Sequence, residues 1–347
     1  MVNRIVLAGS QLGLVDQSDS SLLDGFKQLG CSVTPFDYRA TTFIPRWLSK
    51  IIPKSARKLS PRKLPGVEQA DASASNRRFV LLVQRFRPQL VIALQAERLT
   101  PASLCRAQDA GAVLMNWILD DPEGRIDAEV VPLFDCWLVW DASVAQWLSK
   151  RGAKRVEHLP VACDPKRHYP VALSGTEKKR WKSSLCFVGG YQPNRESLLA
   201  AVSDMGLAVW GPGWEKAQSP ALKPCIRGTE ALGREAWLKA YAAADIVINI
   251  HSQGSAGLNL RVWETLAAGA CLISDYRADI DRFLQGLVGV FRSQDELRRL
   301  CQGLLTDESR RKQMAEAGRK QVLARHTFRH RAEQILKWAN EYTQRPS

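Results

Sequence analysis

The chain alternates two kinds of hydrophobic pattern. Short runs in which nearly every position is apolar, such as RIVLAG (4–9) and QLVIALQ (89–95), are joined to stretches whose apolar positions recur every three or four residues, such as SSLLDGFKQLG (20–30). The first pattern is that of strands buried on both faces of a parallel sheet, and the second is that of amphipathic helices laid over it. The alternation continues with RRFVLLVQRFRP (77–88) and PASLCRAQDAG (101–111) as helices, then AVLMNWILDD (112–121) and CWLVWD (136–141) as strands. SVAQWLSKRG (143–152) follows as helix and RVEHLP (155–160) as strand.

Between Val161 and Lys182 the pattern stops, and VACDPKRHYPVALSGTEKKRWK is rich in Pro, Gly and charge. That composition suits a linker. The pattern then resumes: strand SSLCFVGG (183–190), helix RESLLAAVSDMG (195–206), strand LAVWGPG (207–213), helix EAWLKAYAAA (235–244), strand DIVINI (245–250), helix LRVWETLAAG (260–269) and strand ACLIS (270–274). The expected fold class is α/β, with two doubly wound Rossmann-like domains. The first is expected at 1–165 with an excursion at 44–78, the linker at 166–182 and the second domain at 183–325.

Composition changes this picture little. A length of 347 residues suits two cores better than one, and 45% hydrophobic with 24% charged residues is an ordinary globular balance. No run approaches the roughly 18 apolar residues of a membrane span, and MVNRIVLAGS has too short an apolar core for a signal peptide, so a cytoplasmic protein is expected. The eight cysteines contain no C-x-x-C pair, which argues against a disulfide framework or a zinc site. Charge says more. The net +14 points to an anionic partner, and seven basic residues with no acidic one crowd IPRWLSKIIPKSARKLSPRK (44–63). Its apolar residues fall at helical spacing, so the stretch reads either as an excursion packed on its own domain or as a dock for the anionic inner face of a membrane or a polyanionic acceptor. Nucleic acid is not expected, since beyond the single Trp47 no aromatic-basic interleaving and no known nucleic-acid-binding fold signature accompanies the stretch.

In doubly wound sheets, ligands sit beyond the carboxyl ends of the strands, where glycine turns and helix N-termini offer N–H groups. Three turns of the second half qualify. FVGGYQPNRES (187–197) carries Gly189, Gly190 and Arg195; VWGPGW (209–214) carries Gly211 and Trp214; and NIHSQGSAGLNLRVWETLAAGACLISDY (249–276) carries Gly257, Asn259, Leu260, Arg261 and Glu264. In the last of these, small residues would admit a phosphate to the backbone, Arg261 would add a charge-assisted hydrogen bond, and Glu264 would accept both hydroxyls of an attached ribose. The alternative is a simple i, i+3 ion pair between Arg261 and Glu264. Trp214 reads either as a stacking surface or as core, while Trp117, Trp137, Trp140, Trp147, Trp237 and Trp338 read as core.

GLNLRVWETLAAGACLISDY (257–276) resembles, nearly position for position, a segment of the CgeB-like (spore maturation protein) branch of group 1 GT-B glycosyltransferases. FVGG with Arg195, WGPGW, IRG (226–228) ending in Gly228, and AYAAADIVINIH (240–251) follow in the family's order. NWILDDPEG (116–124), VWDASVAQWLSKRGA (139–153) and HLPVACDPKRHYP (158–170) resemble its other half. The resemblance implies a GT-B fold whose two domains face a cleft, with the final helix, 326–347, returning to the first domain. It implies a nucleotide-sugar donor, a UDP-sugar first among them, and a glycan, lipid or protein acceptor. Glu264 matches the ribose carboxylate, Arg195 the cation at the donor diphosphate, and Gly189 and Gly190 the adjoining phosphate turn. One departure stands out. Many group 1 enzymes carry a second Glu eight residues before the ribose carboxylate, where this chain has Ala256, which leaves the donor sugar and the stereochemical outcome open.

The expected chemistry is glycosyl transfer without cofactor or metal. Arg195, Arg261 and the helix start near Asn259 would stabilise the charge that builds on the leaving diphosphate. The metal-dependent arrangement of the other major transferase fold, marked by a D-x-D triplet, is not expected. For an inverting reaction, Asp121, next to Asp120, and His251 are the candidate bases. Two other classes remain in play: a GT-B-fold nucleotide-sugar epimerase, and a non-catalytic nucleotide- or glycan-binding protein.

Overall fold

The computed structural model describes residues 1–9, 17–38, 65–120, 122–252 and 256–343. The basic stretch 44–63 and the candidate base Asp121 lie outside these residues. The chain divides into two compact units, one made of Met1–Leu159 with Phe328–Ser347 and the other of Pro160–Thr327.

In the first unit, β1 (Arg4–Gly9), β2 (Ser32–Asp37), β3 (Leu90–Leu94), β4 (Val113–Ile118), β5 (Cys136–Val139) and β6 (Val156–His158) form one parallel sheet in the order β2-β1-β3-β4-β5-β6. Every residue of β3, β4 and β5 is buried, as expected for apolar runs covered on both faces. The covering helices include α1 (Gln17–Gln28), α2 (Pro65–Phe86), α3 (Pro101–Asp109) and α4 (Val144–Ser149). Helix α2 is longer than its hydrophobic periodicity suggests, because residues 65–76, placed in the expected excursion, form its first half. That half is anchored by polar groups. The Ser75 hydroxyl donates to the Tyr38 carbonyl at 3.1 Å, and Asn76 donates to the Arg98 carbonyl at 2.8 Å while accepting from the Thr100 N–H at 3.0 Å.

In the second unit, β7 (Ser183–Val188), β8 (Leu207–Trp210), β9 (Ile226–Gly228), β10 (Ala244–Asn249), β11 (Leu272–Asp275) and β12 (Gly289–Phe291) form a second parallel sheet, ordered β12-β11-β10-β7-β8-β9. Its helices are α5 (Gly175–Trp181), α6 (Pro193–Ala200), α7 (Arg234–Ala242), α8 (Leu260–Ala267), α9 (Ala278–Phe283), α10 (Gln294–Thr306) and α11 (Glu308–Arg325). The chain runs from β7 outward to β8 and β9, then returns to lay β10 on the other side of β7. The carboxyl ends of β7 and β10 therefore bracket a topological switch point, where doubly wound sheets hold ligands.

The last helix, α12 (Phe328–Thr343), belongs to the first unit and packs on α1. The two approach so closely at Gly25 that a Cβ there would lie 2.8 Å from the Phe328 carbonyl oxygen.

The stretch 166–182 is not a linker. It folds within the second unit and carries α5, which Ser174 and Glu177 cap reciprocally. Glu177 also pairs with Lys239 of α7 at 2.8 Å. All eight cysteines are free thiols, six of them buried. Among the described residues no helix is long and apolar enough to cross a membrane.

Candidate functional site

Three glycine turns stack at the carboxyl edge of the second sheet. The Gly189 N–H donates to the Trp210 carbonyl at 2.8 Å, Tyr191 N–H to Pro212 at 2.8 Å, and Gly211 N–H to Gly228 at 3.0 Å. Gly211 has φ +139°, and a Cβ on it would run into the Gly189 carbonyl. Only glycine lets these two turns touch.

Helix α8 starts beside them. Asn259 caps it through its side-chain oxygen, which accepts from the Val262 N–H at 3.4 Å. The Asn259 amide meanwhile donates to Asn249 Oδ1 at 3.1 Å. Asn249, fully buried at the end of β10, also takes a 3.5 Å contact from Arg261, so the cap and the cation are held by one side chain. The Arg261 guanidinium then lies against Gly189, where a Cβ would come within 3.2 Å of it. One turn further along α8, Glu264 faces the same space.

That space is a cavity of about 230 Å³ lined by the backbones of Gly189, Gly190 and Gly211, by Arg261 and Glu264, and by the apolar wall of Val188, Leu232, Trp237 and Tyr241. Burial pushes the Glu264 carboxyl up to about 7, against the pull of Arg261. Arg261 and Arg195 flank the Phe187 ring at 5.9 and 5.7 Å. Burial and the neighbouring Arg261 bring Arg195 down to about 10. Two cations close together beside a half-neutralised carboxyl make a setting that an anionic ligand would relieve.

Residues 195–337 match the family model described as glycosyl transferase-like. The fold is GT-B. Sucrose-phosphate synthase from Thermosynechococcus elongatus aligns with a TM-score of 0.65 at 13% identity, covering 98% of this chain and 99% of that one. A trehalose-6-phosphate structure from E. coli bound with UDP-2-fluoro glucose aligns at 0.64 and 12%, covering 97% and 99%. A candidate UDP-N-acetylglucosamine 2-epimerase from Listeria monocytogenes aligns at 0.57 and 10%, covering 99% and 98%. No curated protein sequence matches the chain.

Within this GT-B chain, several expected site residues sit behind the cavity. Arg195 is buried, donating from Nε to the Ile250 carbonyl at 3.1 Å and from Nη1 to the Gly190 carbonyl at 2.7 Å. It is not among the cavity-lining residues and instead ties the ends of β7 and β10 together. Trp214 is corrected to core. It is 1% exposed, and its Nε1 donates to the Gly189 carbonyl at 2.7 Å, so its ring supports the turn and offers no stacking face. Gly228 is likewise support, since it packs on the Trp210 ring and holds Gly211 through its carbonyl. Gly257 is buried and Leu260 partly buried at the start of α8, and neither lines the cavity.

His251 does not present itself as a base. Its side chain is fully buried, with Nδ1 2.6 Å from Asp275 Oδ1, and burial lowers its pKa. Asp120 pairs with Arg125 at 2.7 Å. A D-x-D triplet does occur, at Asp279-Ile280-Asp281, but it lies on α9, where i and i+2 side chains diverge. Asp281 accepts from the Tyr276 hydroxyl at 3.0 Å. Among the described residues no group of three or more His, Cys, Asp or Glu could hold a metal ion.

Three contributors went unrecognised in the sequence. Trp237, expected as core, and Tyr241 line the cavity from α7. His168, in the supposed linker, places Nε2 3.5 Å from Glu264 Oε1.

Proposed function

We propose that the protein is a glycosyltransferase that moves a sugar from a nucleoside diphosphate, UDP first among them, to a hydroxyl of a glycan, lipid or protein acceptor. The observation that carries this reading is the shared cavity of Arg261 and Glu264, rimmed by glycine backbone at the switch point of a GT-B sheet. Glu264, once ionised, accepts the two ribose hydroxyls, and the glycine turns admit the diphosphate. Arg261 offsets the charge that grows on that diphosphate as the bond to the sugar breaks. Arg195 adds a buried positive charge behind the turn. The UDP-2-fluoro glucose of the E. coli neighbour supports a UDP-sugar as the first donor to try. The finer placement in the CgeB-like branch rests on GLNLRVWETLAAGACLISDY, and the basic stretch 44–63 is the candidate contact for an anionic membrane or acceptor.

The test is a thermal-shift screen against nucleoside diphosphates and nucleotide-sugars, because ligand binding to the folded state raises the midpoint. Donor turnover is then followed with and without acceptor. A raised midpoint with sugar transfer, unaffected by EDTA, is expected. No shift with any nucleotide would overturn the reading, an isomerised nucleotide-sugar would make the protein an epimerase, and activity lost in EDTA and restored by Mg²⁺ would remove the metal-independent step.

A further inference from the structure

His168 is buried beyond the reach of solvent, yet it touches the group on which ribose recognition depends. Its Nδ1 accepts the Asp164 backbone N–H at 3.0 Å, so in the neutral ring the proton resides on Nε2. Nε2 lies 3.5 Å from Glu264 Oε1. The ring also packs 5.8 Å from Trp237, a wall of the same cavity. Desolvation holds the imidazole down to about 4, with Arg167 and Arg234 lowering it and Asp164 raising it, so the ring is neutral across the physiological range. Among the described residues, the charged and titratable groups that bear on this pair include Asp164, Arg167 and Arg234 on the His168 side and Arg261 and Tyr241 on the Glu264 side.

We propose that His168 is a positioning residue for Glu264: its Nε2–H, 3.5 Å from Oε1, donates to that oxygen once the carboxyl is ionised and leaves the rest of the carboxylate to meet the paired hydroxyls of a ribose. This rests on the nucleotide-sugar reading above for its ligand, but the contact itself can be tested without one. A neutral N–H donor favours the ionised carboxylate, so removing it raises the pH at which Glu264 ionises.

The first measurement is the titration of Glu264 in ligand-free protein carrying ¹³C-labelled Glu carboxyls. His168→Phe should move the Glu264 midpoint upward, and His168→Gln, which restores an N–H donor, should bring it back. An unchanged midpoint in a folded His168→Phe protein overturns the inference, whatever the protein binds. If Phe is not accepted in the fold, the Gln variant and the ring ¹⁵N shifts of His168 still decide, because a proton found on Nδ1 would also overturn it. The second measurement compares UDP with 2′,3′-dideoxy-UDP. The wild type should favour UDP at least tenfold at pH 7. His168→Phe should lose most of that preference, keep its dideoxy affinity, and regain UDP binding at higher pH. A His168→Phe protein that discriminates as the wild type does would count against the inference. Absence of nucleotide binding by the wild type would overturn the functional reading and leave the titration to judge His168.

Discussion

Arg195 and Arg261 flank one aromatic ring, Phe187, from two sides of the switch point, and they are used in different ways. Arg195, on α6, spends its donors on the carbonyls of Gly190 and Ile250 and on the Ser252 hydroxyl. Arg261, on α8, makes one long hydrogen bond among the described residues, to Asn249 Oδ1 at 3.5 Å, and lines the cavity. The reason lies in the backbone around each. Strands β7 and β10 end side by side, and the carbonyls of Gly190 and Ile250, just past the strand ends, lie outside the ladder, so a buried guanidinium between them is held by the backbone. Arg261 starts from a helix capped by Asn259, and in the reading proposed above its remaining donors turn to the ligand. A cation after a glycine turn can thus brace the site or serve it.

The largest effect is expected where this contrast is removed at the ligand. A charge-assisted hydrogen bond to a charged partner is worth about 1.5–3 kcal/mol, so Arg261→Ala should weaken UDP binding roughly 10- to 100-fold with little loss of melting temperature. Titration calorimetry beside a melting curve reads both. Equal affinity in the variant would take Arg261 out of the site. Gly211→Ala should come next and act through the fold. Its left-handed φ and the facing Gly189 carbonyl leave no room for a methyl group, a strain on the order of 1–3 kcal/mol that should lower the midpoint by several degrees and loosen UDP binding with it. A midpoint equal to that of the wild type would mean that the two turns do not need their close approach.

Arg195→Met sharpens the comparison most directly. It leaves two buried carbonyls without a donor, a cost of about 1–3 kcal/mol, so stability should fall while UDP affinity falls less than in Arg261→Ala. The reverse result, intact melting and an affinity loss as large as that of Arg261→Ala, would return Arg195 to the diphosphate, where the family resemblance puts it.

What the sequence disclosed follows the same physics. Strands inside each sheet are mostly apolar, and β1, β3, β4, β5, β7, β8, β10 and β11 are all legible as such runs, as is the edge strand β6. The unread strands are edges. β2 carries Pro35, β9 is IRG and β12 is GVF, and an edge strand has too little buried surface to impose a continuous apolar pattern. The first half of α2 was hidden because Ser75 and Asn76 anchor it by hydrogen bonds. At the site, Arg261 and Glu264 were legible because one helix carries both at a fixed spacing. His168 was not, since it reaches Glu264 from 96 residues away in sequence through a segment whose composition resembles a linker. The Ser174–Glu177 capping box was the signal there that the segment had structure.

The effect that depends most on conditions concerns Glu264 and runs against intuition. Its folded pKa of about 7 lies above the 4.5 of a free carboxyl, so between those values the unfolded chain is ionised where the folded one is not. The stability from a neutral Glu264 is complete below pH 4.5 and disappears as pH rises through 7. His168, held down to about 4, works the other way and loses stability as pH falls below 6.5, but it is present in both proteins when wild type and Glu264→Gln are compared. The difference therefore reports Glu264. Glu264→Gln should match the wild type in melting near pH 4 and exceed it near pH 8 by several degrees, since one pKa unit corresponds to about 1.4 kcal/mol. The same substitution should cost UDP affinity, because an amide offers one acceptor where the carboxylate offers two. A melting gap that is equal at both pH values would mean that Glu264 is not a buried carboxyl held near neutrality. A gap that opens while affinity falls would show stability surrendered at the residue that shares the cavity with Arg261.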